Sequence, residues 1–175
     1  MSRHVPARIQ VAVDVVAPGP DDRLLEIGCG PGVAMDLVCE RLDDGHVTGL
    51  DRSATAIARA EKRLWRHLEN GSADLQHRDL AGFHGDGRPF DAVFAINVNV
   101  FWANPAGPDA ARLRELVADD GVVRLFYEGP RGGVHDSRAG DVTRSVLGAA
   151  GFATRADVID DVLCVTGTPL PRAEP

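Results

Sequence analysis

Leu24-Leu25-Glu26-Ile27-Gly28-Cys29-Gly30-Pro31-Gly32, followed at once by Val33-Ala34-Met35-Asp36-Leu37-Val38, is the stretch on which the reading of this chain turns. A short apolar run, three alternate glycines and an amphipathic segment predict a strand, a tight turn and a helix. Glycine lets the backbone turn sharply and approach a ligand closely. The stretch therefore reads as a cradle for a nucleotide-like molecule.

The dinucleotide fingerprint, Gly-x-Gly-x-x-Gly, is the nearest general pattern. Here the third glycine comes one position early, at Gly32, and Val33 stands where the fingerprint wants glycine. Glu26, two residues before Gly28, is awkward for a pyrophosphate but suits the ammonium of an amino-acid moiety. The charge favours a cationic ligand.

Leu-Glu-Ile-Gly-Cys-Gly-Pro-Gly at 25–32 resembles, residue for residue, the first motif of the class I S-adenosylmethionine-dependent methyltransferases. The resemblance implies an α/β, three-layer Rossmann-like fold whose seven-stranded sheet is mostly parallel with an antiparallel last strand. It also implies S-adenosyl-L-methionine as cofactor, held in part by Glu26, Gly28, Cys29, Gly30 and Gly32. No metal is implied: His4, His46, His67, His77 and His84 are scattered, and the three cysteines lack ligand spacing.

Working outward, residues 5–17 read as a helix with Ile9, Val13 and Val16 on one face, although the valines keep a strand open. The first strand covers about 23–27, and the helix after the glycines runs to about Leu42. Val47–Leu50 is a second strand ending in Asp51, and Ser53 is a candidate N-cap for a helix carrying Ile57, Ala60, Leu64 and Leu68. A carboxylate at the end of the second strand is placed to bind a ribose diol, with Arg52 beside it.

Residues 73–78 form a short third strand leading to Asp79-Leu80, where the resemblance implies adenine contacts. Phe90–Ile96 is a fourth strand, which in the family delivers the following residues, here Asn97-Val98-Asn99-Val100-Phe101-Trp102, to the transfer centre. Asn97 could offer its amide to cofactor or substrate. Phe101 and Trp102 could wall the substrate or serve as core. The amide-methylating signature Asn-Pro-Pro-Tyr is absent here.

Gly107-Pro108 opens a further helix with Ala111, Leu113, Leu116 and Val117 facing inward, before a fifth strand at 121–128. Val142, Val146 and Leu147 mark a last helix. Strands at 152–159 and 162–168 are joined at Asp160-Asp161 so tightly that they must run antiparallel. His135, in the loop after the fifth strand, is the candidate catalytic base, with Glu128 and Tyr127 behind it.

A length of 175 residues predicts a single domain, with an N-terminal segment at 1–20, a core at 21–168 and a frayed tail. A net charge of −7 argues against a broad nucleic-acid surface. No apolar run approaches membrane length and no leader pattern opens the chain, so a cytoplasmic protein is expected. So small an architecture leaves the acceptor side open or covered by a second subunit of a homodimer. The expected activity is methyl transfer to a small molecule. The alternatives are cofactor binding without turnover and a nicotinamide-dependent oxidoreductase.

Overall fold

The structure, a computed structural model, describes residues 5–129 and 137–172. Its strands are β1 (Arg23–Ile27), β2 (His46–Asp51), β3 (Ala73–His77), β4 (Phe90–Ile96), β5 (Val117–Glu128), β6 (Phe152–Ile159) and β7 (Val162–Pro169). Between them lie α1 (Ala7–Val16), α2 (Val33–Cys39), α3 (Ala54–Glu69), α4 (Val100–Ala103), α5 (Asp109–Leu116) and α6 (Ser137–Ala149). The strands make one seven-stranded sheet in the order β3-β2-β1-β4-β5-β7-β6. β7 alone runs backwards, pairing antiparallel with β5 and β6.

Alternation along the central strands builds the three layers. Leu24, Phe94 and Phe126 point to one face and pack with Val13 of α1, Met35 of α2 and Leu64 of α3. Their neighbours Leu25, Val93, Leu125 and Tyr127 point to the other, where Phe101, Leu113 and Leu147 close the second core. Strands buried on both faces carry near-continuous apolar runs, which is why the central strands were readable in the sequence. β6 and β7 meet at Asp160 and Asp161, both in the left-handed region with φ of 46° and 63°, as a two-residue hairpin turn requires.

Several boundaries differ from expectation. α2 stops at Cys39 rather than Leu42, because Arg41 and Leu42 donate to Val38 and Cys39, three residues back, and tighten the last turn. α5 turns Ala110 inward and leaves Ala111 exposed, while Val117 already belongs to β5. β5 starts at Val117 rather than Gly121: the pairing jumps from Phe90–Val117 to Ala92–Val122 across a bulge that interrupts the ladder. The short helix α4 was not foreseen.

Leu64 is fully buried and touches the glycine loop: a Cβ on Gly32 would lie 3.0 Å from its Cδ1. Leu64→Ala should cost about 2–5 kcal/mol, measured as a lower urea midpoint with an unchanged m-value.

Candidate active site

The strand ends define the site. β1 runs into Gly28, Gly30 and Gly32, all with positive φ (67°, 55° and 75°), so the backbone reverses within five residues before α2 begins. The three glycines do different work. A Cβ on Gly28 would come within 2.5 Å of Val98 Cγ2, so this glycine makes room for the segment after β4. A Cβ on Gly30 would meet nothing within 4 Å, which leaves open space above the turn. A Cβ on Gly32 would crowd Leu64 and Ala60, so that glycine lets α3 approach.

Asp51 fastens this turn. Its carboxylate accepts from the Gly30 N–H at 2.9 Å and from the Ser53 N–H at 2.8 Å, tying the end of β2 to the loop after β1 and to the start of α3. The Ser53 hydroxyl then accepts from the Ala56 N–H, capping α3 as expected. From α3, Arg63 Nε donates to the Pro31 carbonyl at 3.0 Å and grips the loop from its far side.

Glu26 shares a face with Leu24 and lies under the loop at the start of α2, only 3% exposed. Its Oε2 has no hydrogen-bond partner among the described residues. Burial, and then the charge of Asp51, push the carboxyl well above the ordinary carboxylate range, against a lowering hydrogen bond from the Met35 backbone. A buried carboxyl with an unused oxygen is a natural seat for a cationic group.

A cleft of about 610 Å³ lies over the carboxyl ends of the strands. Gly28, Asp51, Arg52, Asp79, Leu80 and Asn97 line it, so these expected residues converge. Asp79 is exposed and accepts from the Gly82 N–H at 2.9 Å. Asn97 has φ of 56°; its N–H donates to the Phe126 carbonyl and its Oδ1 accepts from the Glu128 N–H, both at 2.8 Å. The amide oxygen assigned to a ligand thus knits β4 to β5, and only the amide nitrogen end is left for a ligand.

Other expected residues stand elsewhere. The Cys29 side chain is buried in the core, its thiol pushed up mainly by burial and then by Glu26 and Asp51, so only its backbone belongs to the loop. Phe101 is 1% exposed in the core and does not line the cleft, which corrects its reading as a substrate wall. Trp102 packs partly buried against the same core. Tyr127 is buried and shares a hydrogen bond with Thr143 at 3.2 Å, and burial pushes its hydroxyl up to about 12, unsuited to a base. Glu128 pairs with Arg8 of α1 at 3.0 Å. His135 lies outside the described residues.

Val98 and Val100, in the stretch expected near the transfer centre, line the cleft with Asn104, whereas Arg78 and Asp109, which also line it, were missed. Asp109 was assigned no role from the sequence. Nothing in its neighbours along the chain signals that it faces a cleft.

The chain belongs to the methyltransferase-domain family, whose pattern matches residues 25–123. Within that family it is 29% identical over 124 residues to a trans-aconitate 2-methyltransferase of Acidovorax sp. (strain JS42), a match covering 71% of this chain and 45% of that one. It is 34% identical over 97 residues to ribosomal RNA small subunit methyltransferase A of Tolumonas auensis, covering 55% of this chain and 36% of that protein. The chain thus spans less than half the length of either relative. A TehB-like S-adenosylmethionine-dependent methyltransferase structure from Corynebacterium glutamicum superposes with a TM-score of 0.70 at 19% identity, covering 96% of this chain and 90% of that one. That likeness is one of fold.

Glu26 gives a pH prediction. Its folded-state pKa lies above its unfolded value, so the folded protein binds the proton more tightly, and stability falls as pH rises from the ordinary carboxylate range towards the folded value. Glu26→Gln has no proton to lose there. The melting temperature of the variant minus that of the parent should therefore grow with pH across that window; a constant difference would show that Glu26 carries no such penalty.

Proposed function

We propose that the chain is an S-adenosylmethionine-dependent methyltransferase that moves a methyl group directly to a small-molecule acceptor. The observation that carries this reading is the partnerless buried oxygen of Glu26, on the strand that runs into the glycine turn, where Gly28 lines a cleft of about 610 Å³. That volume lies within the roughly 300–1,000 Å³ usual for small-molecule sites. The donor set suits a ligand with an ammonium at one end and a nucleoside at the other.

On this reading Glu26 takes the ammonium, while Gly28, the Cys29 backbone and Gly30 let the ligand lie close to the main chain. Asp51 has lone pairs beyond its two backbone bonds for a ribose diol, with Arg52 alongside. Asp79 and Leu80 meet the adenine, and Asn97 offers its amide nitrogen end. Gly32 contributes by packing α3 against the turn. When bound, S-adenosylmethionine supplies an activated methyl on a sulfonium sulfur. The protein's part is orientation, since proximity of two aligned reactants can supply about 7–11 kcal/mol of the barrier. His135 is the proposed base where an acceptor must first lose a proton.

The curated relatives suggest the first acceptors to try. The trans-aconitate enzyme points to small carboxylic acids, whereas the ribosomal enzyme makes RNA the second reading. The net charge of −7 favours the first. Transfer of labelled methyl to trans-aconitate or related polycarboxylates, with none to ribosomal RNA, is the expected result. Labelling of RNA alone would replace the small-molecule reading, and binding without transfer to any acceptor would favour a non-catalytic subunit.

Cofactor identity is tested separately. A ligand at one hundred times its dissociation constant stabilises by about 2.7 kcal/mol, so S-adenosylmethionine or S-adenosylhomocysteine should raise the melting temperature clearly and NAD or NADP should not. Gly30→Arg should abolish that shift while the protein stays folded, because the side chain would enter the open space above the turn. A shift that survives would place the cradle elsewhere.

A further inference from the structure

β6 closes the sheet order β3-β2-β1-β4-β5-β7-β6, and among the described residues no strand pairs with its outer side. Edge strands are commonly kept short, bulged or interrupted by proline, because an open edge is a template for pairing. β6 has eight residues, no proline and an unbroken register with β7. Ala153, Arg155, Ala156, Asp157 and Val158 are exposed, Val158 at 54% the most of any large apolar side chain among the described residues. The hydrogen bonding of the strand is fixed at both ends. The Gly151 carbonyl accepts from the Leu170 N–H at 2.9 Å, and the two-residue turn at Asp160-Asp161 makes Ile159 and Val162 a hydrogen-bonded pair. Bonded and non-bonded pairs alternate along an antiparallel ladder, so the backbone groups of Ala153, Arg155 and Asp157 bond to β7. Those of Thr154, Ala156 and Val158 turn outward.

We propose that the outer edge of β6 pairs antiparallel with β6 of a second copy of this chain, about a two-fold axis through Ala156. Only an axis that passes through a residue sets outward backbone groups against outward groups. An axis at Arg155 would oppose two guanidinium groups, and one at Asp157 two carboxylates. With the axis at Ala156, Arg155 stands opposite the partner's Asp157, and Asp157 opposite the partner's Arg155. Opposite charges directly across a ladder stabilise it and like charges destabilise it, so charge selects this register. Within one chain Arg155 Nε and Asp157 Oδ2 are already 3.4 Å apart, and the second copy sets each cation between two carboxylates. On the other face Ala156 meets its own copy, and exposed Val158 packs on the partner's Thr154. The contact is isologous and closes after two copies, joining two seven-stranded sheets into one. β5 and β7 separate this edge from the strands whose ends form the cleft, so the inference does not depend on the catalytic reading.

The test is sedimentation velocity on the full chain from micromolar to millimolar concentration, with thermal melts to verify folding. The parent should sediment at twice the chain mass. Arg155→Asp sets carboxylates against carboxylates across the axis, and Asp157→Arg sets arginines against arginines. Both side chains are largely exposed, so each variant should fold and run as a monomer where the parent is a dimer. Mixed in equal amounts, the two variants should form a mixed dimer, because every arginine then faces an aspartate again. The double variant R155D/D157R should recover the homodimer for the same reason. Ala156→Pro removes one outward N–H and no bond to β7, and it should also be monomeric. The proposal is overturned if the parent stays monomeric throughout the range, if any of the three single variants dimerises like the parent, or if the two charge variants stay monomeric when mixed.

Discussion

Two backbone N–H groups held by one carboxylate organise this site. Asp51 accepts from Gly30 and from Ser53, so the turn after β1, the end of β2 and the first turn of α3 are fixed to one another. Hydrogen bonds to a charged group contribute about 1.5–3 kcal/mol each, and here they act where a glycine-rich turn would otherwise be loose. The shape of the loop is thereby set before a ligand arrives. Loss of this carboxylate would disturb the loop as well as any ribose contact, so Asp51→Ala alone does not separate the two roles. Asp51→Asn retains a single acceptor oxygen for two backbone donors, and a melting curve beside a binding curve distinguishes loosening of the loop from loss of a ligand bond.

Glu26 is the cost of that arrangement. A carboxyl placed under the loop with one oxygen unsatisfied is unfavourable in a fold that otherwise fills its interior with Leu, Val and Phe. Groups that weaken a fold while serving no packing purpose mark sites of function more often than sites of structure. The same logic separates Glu26 from Asp36, which is buried close to Arg63 and His67.

The fold was legible wherever local pattern and burial agree. The central strands, the glycine turn, the cap at Ser53 and the hairpin at Asp160-Asp161 are each specified by residues within a few positions of one another, so the sequence carries them openly. What was not legible depends on residues far apart. The bulge between β4 and β5 falls beside Gly121, where a Cβ would come within 2.8 Å of the Asp91 carbonyl, a closeness that no window along the chain contains. The direction in which Phe101 points is decided by α4, a single helical turn too short to leave a periodic signal.

The cleft divides along the same line. Residues on strand ends, such as Gly28, Asp51 and Asp79, could be placed because the order of elements fixes where a strand ends, and ligands of open α/β sheets lie beyond those ends. Residues on the opposite wall hang from the connection after β4, whose path is set by tertiary packing. Asn97 shows the difference within one side chain: it lines the cleft after β4, yet its oxygen is committed to the Glu128 N–H. A polar residue at a strand end is thus only a candidate for ligand contact until its backbone obligations are known.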